Sequence, residues 1–228
     1  ALYGISFKSV EITTLLLPLG IIPSLFILYF IVGGYEGKFE EKIILIAFII
    51  GMAVGTILYL IEGMILYSQM LKYIDAIIIF SLLFSVQEQL AKVAILNTRF
   101  FEKRGLPIYG AGVGLGMAST FSPLLLGASF EISLENFLPL LLPFSAIFLG
   151  CATGIFIGIG IKRGDKFKFF FYAVLSGLAF WIFTSLSFYH SFFPILAIIS
   201  SLFAFYIAYR NLPFGMLERR ELLGLSNK

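Results

Sequence analysis

The sequence is short of charge and of metal-binding or cross-linking side chains. Of 228 residues only 13% are charged, and there is one cysteine and one histidine. A single cysteine excludes an internal disulfide, and one histidine beside it leaves little material for a metal site. A soluble domain carries about a quarter of its residues charged, so this chain would leave too much apolar surface in water. A net charge of +3 argues for no nucleic-acid partner. Low-complexity and linker-like segments are missing too, and residues 1–228 read as a single domain. What is present is apolar: 60% hydrophobic residues and a mean hydropathy of +1.01. The 27 Phe and 22 Gly lie in long continuous runs, not in the alternation at ~10-residue spacing of an outer-membrane barrel.

The fold class that follows is all-α, a polytopic membrane protein. A helix crosses the hydrocarbon core in about 20 residues. Apolar runs between charged or turn-forming punctuation predict seven spans, at 12–33, 43–68, 75–97, 108–128, 137–161, 167–188 and 192–209. Lys8 and Glu11 lead straight into the first of them, which is not the pattern of a cleaved leader. Tyr189-His190-Ser191 separates the last two as a tight hairpin. With seven spans, thirteen of the sixteen basic residues, from Lys38 to Lys228, fall on one side. Lys8 and Lys72 fall on the other, and Lys92 lies inside the third span. That asymmetry predicts an N-terminus outside and a C-terminus in the cytoplasm.

Ionisable groups inside a bilayer cost a few kcal/mol each on insertion scales, so they have a partner or a task. Three stand out: Glu62, Glu88 and Lys92. Glu88 and Lys92 are four apart, glutamate first, the favourable order for a pair on one helical face. Ser81 and Ser85 extend that face, and Gln87 and Gln89 flank it. Such a stripe must face protein or trapped water. It serves either as an internal lock between helices or as a group for chemistry or transport. Glu62, nearer a helix end, is expected to snorkel to the interface.

Glycine spacing is the second feature. Gly110, Gly112, Gly114 and Gly116 form two overlapping small-xxx-small pairs in the fourth span. Gly150, Gly154 and Gly158 repeat at four-residue spacing in the fifth, and Gly51 and Gly55 in the second. This spacing lets another backbone approach closely, and packing within the chain is the expected use. Other features carry less. His190 stands alone in its hairpin, with Cys151 near the opposite side, so no zinc site is expected. Ser119, Thr120 and Ser122 have no accompanying base and are expected to bond the preceding turn. The tail 216–223 reads as a short amphipathic surface helix.

Glu88-Gln89-Leu90-Ala91-Lys92 resembles the Glu-Glu-x-x-Lys signature of PrsW-type intramembrane peptidases. The basic loop Arg99–Arg104 and the glycine-rich Leu106–Ala118 that follow look like that family's next helix. The same stretch is similar to the seven-span anterior-pharynx-defective subunit of gamma-secretase, a non-catalytic relative in the superfamily of the CAAX prenyl endopeptidases. The similarity is clearest over residues 81–126. From 143 to 209 it is one of span pattern and loop charge. It implies a shared fold, and the residues depart from the peptidases where chemistry is done. Gln89 replaces a second glutamate, and an amide is neither a general base nor an anionic metal ligand. Phe121-Ser122 stands where a Glu-Asn pair is expected, and no histidine lies near Phe144–Cys151 or Ala179–Trp181.

The function expected from this reading is a non-catalytic helix-binding or scaffold subunit of a membrane complex on a peptidase-like fold. It would have no cofactor and no metal, with membrane lipids and a transmembrane partner or substrate helix around it. Two alternatives stand beside it. One is an active peptidase with Glu88 as base and Lys92 stabilising the oxyanion. The other is a proton or solute transporter using Glu62, Glu88 and Lys92. The compartment expected is the plasma membrane.

Overall fold

The structure is a computed structural model that describes residues 12–66, 73–101, 103–126 and 137–217. It is all-α, and no strand occurs among the described residues. The first helical stretch is α1 (Ile12–Leu15), a π-helical turn (Leu16–Ile21) and α2 (Ile22–Val32). Then follow α3 (Glu41–Leu66), α4 (Ile74–Leu96), α5 (Leu106–Phe121), α6 (Leu141–Arg163), α7 (Lys166–Leu186) and α8 (Phe193–Met216). These last six, α5 together with the 3₁₀ turn that continues it to Leu126, are long and apolar enough to cross a membrane, so the chain is a polytopic helical membrane protein.

The first expected span is not one regular helix. Pro18 and Pro23 supply no backbone N–H, and the chain widens into a π turn in which the Ile22 N–H bonds the Leu17 carbonyl. In a regular helix the Leu19 carbonyl would accept from residue 23, which is proline. The Ser122 hydroxyl, at the end of α5, donates to it instead at 3.3 Å. An orphan carbonyl is expensive in an apolar interior, and here a neighbouring span satisfies it. The other spans differ from expectation only at their ends. The fourth continues past Phe121 as a 3₁₀ turn (Ser122–Leu126), and α8 runs to Met216. The amphipathic tail expected at 216–223 thus begins inside a long helix, and its remainder from 218 lies outside the described residues.

The core is α5. Every residue from Leu106 to Phe121 is buried, because α3 covers one side of it and α6 the other. At 100° per residue, glycines two apart point to opposite sides of a helix. Gly112 and Gly116 therefore face Ala47 and Phe48 of α3, while Gly110 and Gly114 face Gly154 and Gly150 of α6. The contact is backbone on backbone. A Cβ on Gly114 would stand 2.7 Å from the Gly150 carbonyl carbon, and one on Gly154 would stand 2.7 Å from that of Gly110. Gly158 extends the seam to Pro107, and Gly51 and Gly55 do the same for α3 against Val113 and Met117.

At the end of the bundle rich in Lys and Arg, side chains tie the helices together. Lys162 donates to the carbonyls of Arg104 and Met216, each at 3.0 Å. Arg163 donates to the Phe214 carbonyl and lies over its ring, and Lys166 donates to Asn97 Oδ1 at 3.0 Å. Gly164, at φ +85°, ends α6 in the left-handed region and turns the chain directly into α7.

Candidate functional site

One face of α4 carries the polar stripe. Ser81, Ser85, Glu88, Gln89 and Lys92 are all buried, with Phe84 between them. The apolar positions Leu82, Leu83 and Leu90 on the opposite side are exposed where lipid would be. The stripe packs on α7, which runs antiparallel to α4 and presents Gly177 to it. A Cβ there would overlap the Ser85 hydroxyl and meet Gln89 Nε2 at 3.5 Å. Ser85 itself donates to the Val174 carbonyl at 2.7 Å.

Glu88 and Lys92 form the expected pair, 3.5 Å apart and almost wholly buried. Both are held by further groups. Trp181 Nε1 donates to Glu88 Oε1 at 2.8 Å, and the Tyr59 hydroxyl is within hydrogen-bonding reach of the same carboxylate. Lys92 Nζ donates to Glu88, to Gln89 Oε1 at 3.1 Å and to Thr153 Oγ1 at 2.8 Å. Thr153 donates onward to the Leu149 carbonyl at 3.0 Å. An ammonium has three protons, and each is placed. The cluster therefore joins α3, α4, α6 and α7. An aromatic chain closes over it: Tyr59 stacks on Phe121, Phe121 packs on Trp181, and Trp181 packs edge-on against Phe84.

Glu62 overturns its expectation. Far from snorkelling, it is fully buried, and neither carboxylate oxygen has a hydrogen-bond partner. The reason is helical phase. Gly51, Gly55, Tyr59 and Glu62 lie on one face, the face of α3 that packs on α5, and Glu62 is two turns beyond Gly55. That phase brings its carboxylate within Coulombic range of Glu88 and Lys92. Among the other unpartnered buried groups are the Ser81, Thr184 and Ser185 hydroxyls and the Gln89 amide nitrogen. Leaving a polar group buried and unsatisfied costs about 1–3 kcal/mol, more for a charge. Glu62→Leu is thus expected to raise the thermal midpoint in detergent by several degrees. A lowered midpoint would mean that the carboxyl has a bonding partner after all.

The remaining candidates are structural. Ser119 and Thr120 donate to the carbonyls of Gly116 and Met117, as expected of hydroxyls in a span, whereas Ser122 departs from that expectation and donates to Leu19 of the first stretch. Cys151 is buried among apolar groups, and His190 sits in the α7–α8 turn, where its N–H bonds the Leu186 carbonyl. No group of three His, Cys, Asp or Glu able to hold a metal occurs among the described residues. The sequence reading missed Trp181, Tyr59 and Thr153. Trp181 lies in the segment noted only for lacking histidine, and Thr153 is embedded in the α6 glycine repeat.

Chemically, the cluster is a carboxylate and an ammonium saturated by their own protein, with a second carboxyl alongside. No protein-family model, no curated protein and no solved structure matches this chain.

Proposed function

We propose that this chain is a non-catalytic, helix-holding subunit of a membrane protein complex, built on the peptidase-like arrangement that its third and fourth spans resemble. The observation that carries the reading is the saturation of Glu88 and Lys92. Trp181, Tyr59, Gln89 and Thr153 fill the positions from which a base would activate water or an ammonium would meet an oxyanion. A pair held in this way fixes four helices relative to one another, which is what a scaffold requires. The interrupted first stretch is counted as a seventh span, with the N-terminus outside and the basic end in the cytoplasm of a cell-membrane protein.

The glycine faces are consumed inside the bundle, so a partner span has to use an outer face, and those of α3 and α4, the two helices that carry Glu62 and Glu88, are the first to test. There Ile57, Ile61 and Met64, and Ile78, Ile79 and Leu82, are exposed. Purification from native membranes in mild detergent is expected to bring down a partner in fixed ratio, and a photocrosslinker at Met64 or Ile79 to capture it. Monomer alone, with no crosslink from either position, would overturn the reading.

One observation favours a second reading. Glu62 places a buried carboxyl near Glu88, so two acids lie together although the signature has lost its second glutamate. In an intramembrane peptidase this pair would supply the base. Cleavage of a membrane substrate that disappears in both Glu62→Gln and Glu88→Gln would establish it, and equal processing by all three proteins would remove it.

A further inference from the structure

Outside the Glu88–Lys92 cluster, a groove of about 580 Å³ lies between α7 and α8, floored by Phe156 of α6. Its walls run from Lys168 to Ala179 on α7 and from Ser200 to Phe214 on α8. At 1.5 Å per residue these walls are roughly 17 and 21 Å long. That is close to the depth of one bilayer leaflet, about 15 Å of hydrocarbon.

The lining is graded along this length. Lys168 and Asn211 stand at the end of the bundle that carries the basic residues, and beyond them the walls are Tyr172, Leu175, Phe203 and Ala204. Besides the Tyr172 phenol, two serine hydroxyls lie in the groove, and each is turned onto its own helix. Ser176 donates to the Tyr172 carbonyl at 2.8 Å and Ser200 to that of Ala197 at 2.9 Å. The deeper part therefore offers an occupant mainly apolar surface.

Charge selects the occupant. Lys162, Arg163 and Lys166 close by are each bonded to carbonyl or amide oxygens of the protein. Lys168 differs. It is exposed, it lines the groove, and it makes no ion pair among the described residues, where Glu88–Lys92 is the one salt bridge. Its ammonium lies 6.0 Å from the Tyr172 ring, at the outer limit of a cation–π contact. A cation at the mouth of a leaflet-deep apolar groove complements a negatively charged headgroup on a hydrocarbon chain.

We propose that this groove is a binding site for an anionic phospholipid, with its phosphate on Lys168 and one acyl chain along the α7–α8 seam. The site is independent of whether the Glu88 cluster is a scaffold or a peptidase centre, and rests only on the helices spanning a bilayer.

Native mass spectrometry of the whole chain in detergent, titrated with phosphatidylglycerol or phosphatidylcholine of equal chain length, tests it. The anionic lipid is expected to bind about fivefold more tightly, the size of one lysine's attraction for an anionic lipid surface. Lys168→Gln should abolish that preference, while Lys166→Gln, which loses only the bond to Asn97, should keep it. Ala179→Trp should weaken both lipids at an unchanged thermal midpoint, and millimolar inorganic phosphate should displace neither. Equal affinity for the two lipids in the unmodified protein would overturn the proposal. So would a preference that survives Lys168→Gln, displacement by free phosphate, or a photocrosslink from Ala179 to another protein's span in place of lipid.

Discussion

Lys92→Met alone is expected to destabilise the bundle by about 3–5 kcal/mol, because it leaves Glu88 as an uncompensated buried charge. For a chain of this size that is a fall in thermal midpoint of roughly 10 °C. The double variant Glu88→Gln/Lys92→Met should recover most of the loss, since neither charge then remains and Trp181 and Tyr59 can still bond the amide. Replacing a buried pair by neutral groups is often close to neutral or stabilising, whereas breaking it is not. The measurement is a thermal melt in detergent of the wild type, both single variants and the double. If the double loses as much as the singles added together, Glu88 and Lys92 do not act as a pair. The melts also bear on function. A scaffold with the double substitution should still hold its partner, whereas a peptidase with the same substitutions should fold and be inert.

The second large effect lies on the α5–α6 seam. Gly154→Ala or Gly114→Ala sets a Cβ against a backbone carbonyl of the facing helix, where no side chain can rotate away. The helices must separate along several turns, and the loss is expected at or above the upper end of the roughly 1–3 kcal/mol of ordinary overpacking. The same substitution should be graded by position. At Gly112 the new Cβ would be 3.3 Å from the Ile44 carbonyl oxygen, which a small shift relieves. At Gly63 nothing lies within 4 Å, so alanine there should gain the helix-propensity difference of about 1 kcal/mol. Thermal midpoints in the order Gly63→Ala, wild type, Gly112→Ala, Gly154→Ala would bear this out. A tolerant Gly154→Ala would mean that α5 and α6 are further apart than the carbonyl contacts place them.

The long spans were readable because lipid imposes a simple rule, about 20 apolar residues at a stretch, and α3 to α8 obey it with ends shifted by a few residues. The Glu88–Lys92 pair was readable because its geometry is local to one helix. Glu62 was not. Whether a residue near a helix end faces lipid or protein depends on rotational phase, and the glycines at 51 and 55 that set the phase act only through contact with α5. Trp181 and Tyr59 were hidden for a related reason. An aromatic residue in an apolar span looks the same whether its polar tip reaches a headgroup or a buried carboxylate. The first stretch misled in the opposite direction: its apolar run was long enough, but two prolines turned part of it into a π turn that relies on Ser122.

The placement of α5 has a consequence for how the protein is made. It is the least apolar of the six long helices and the one most enclosed by protein. Four of its sixteen residues are glycine, so it offers the bilayer little on its own. Membrane helices insert singly and assemble afterwards, so α5 reaches the bilayer when α3 is already there and α6 is still to be synthesised. Half of its packing surface then has no neighbour. The helix at the centre of the finished protein is thus its weakest point during biogenesis, and substitutions in α6 should show themselves as failure to retain α5 in the bundle after it has inserted.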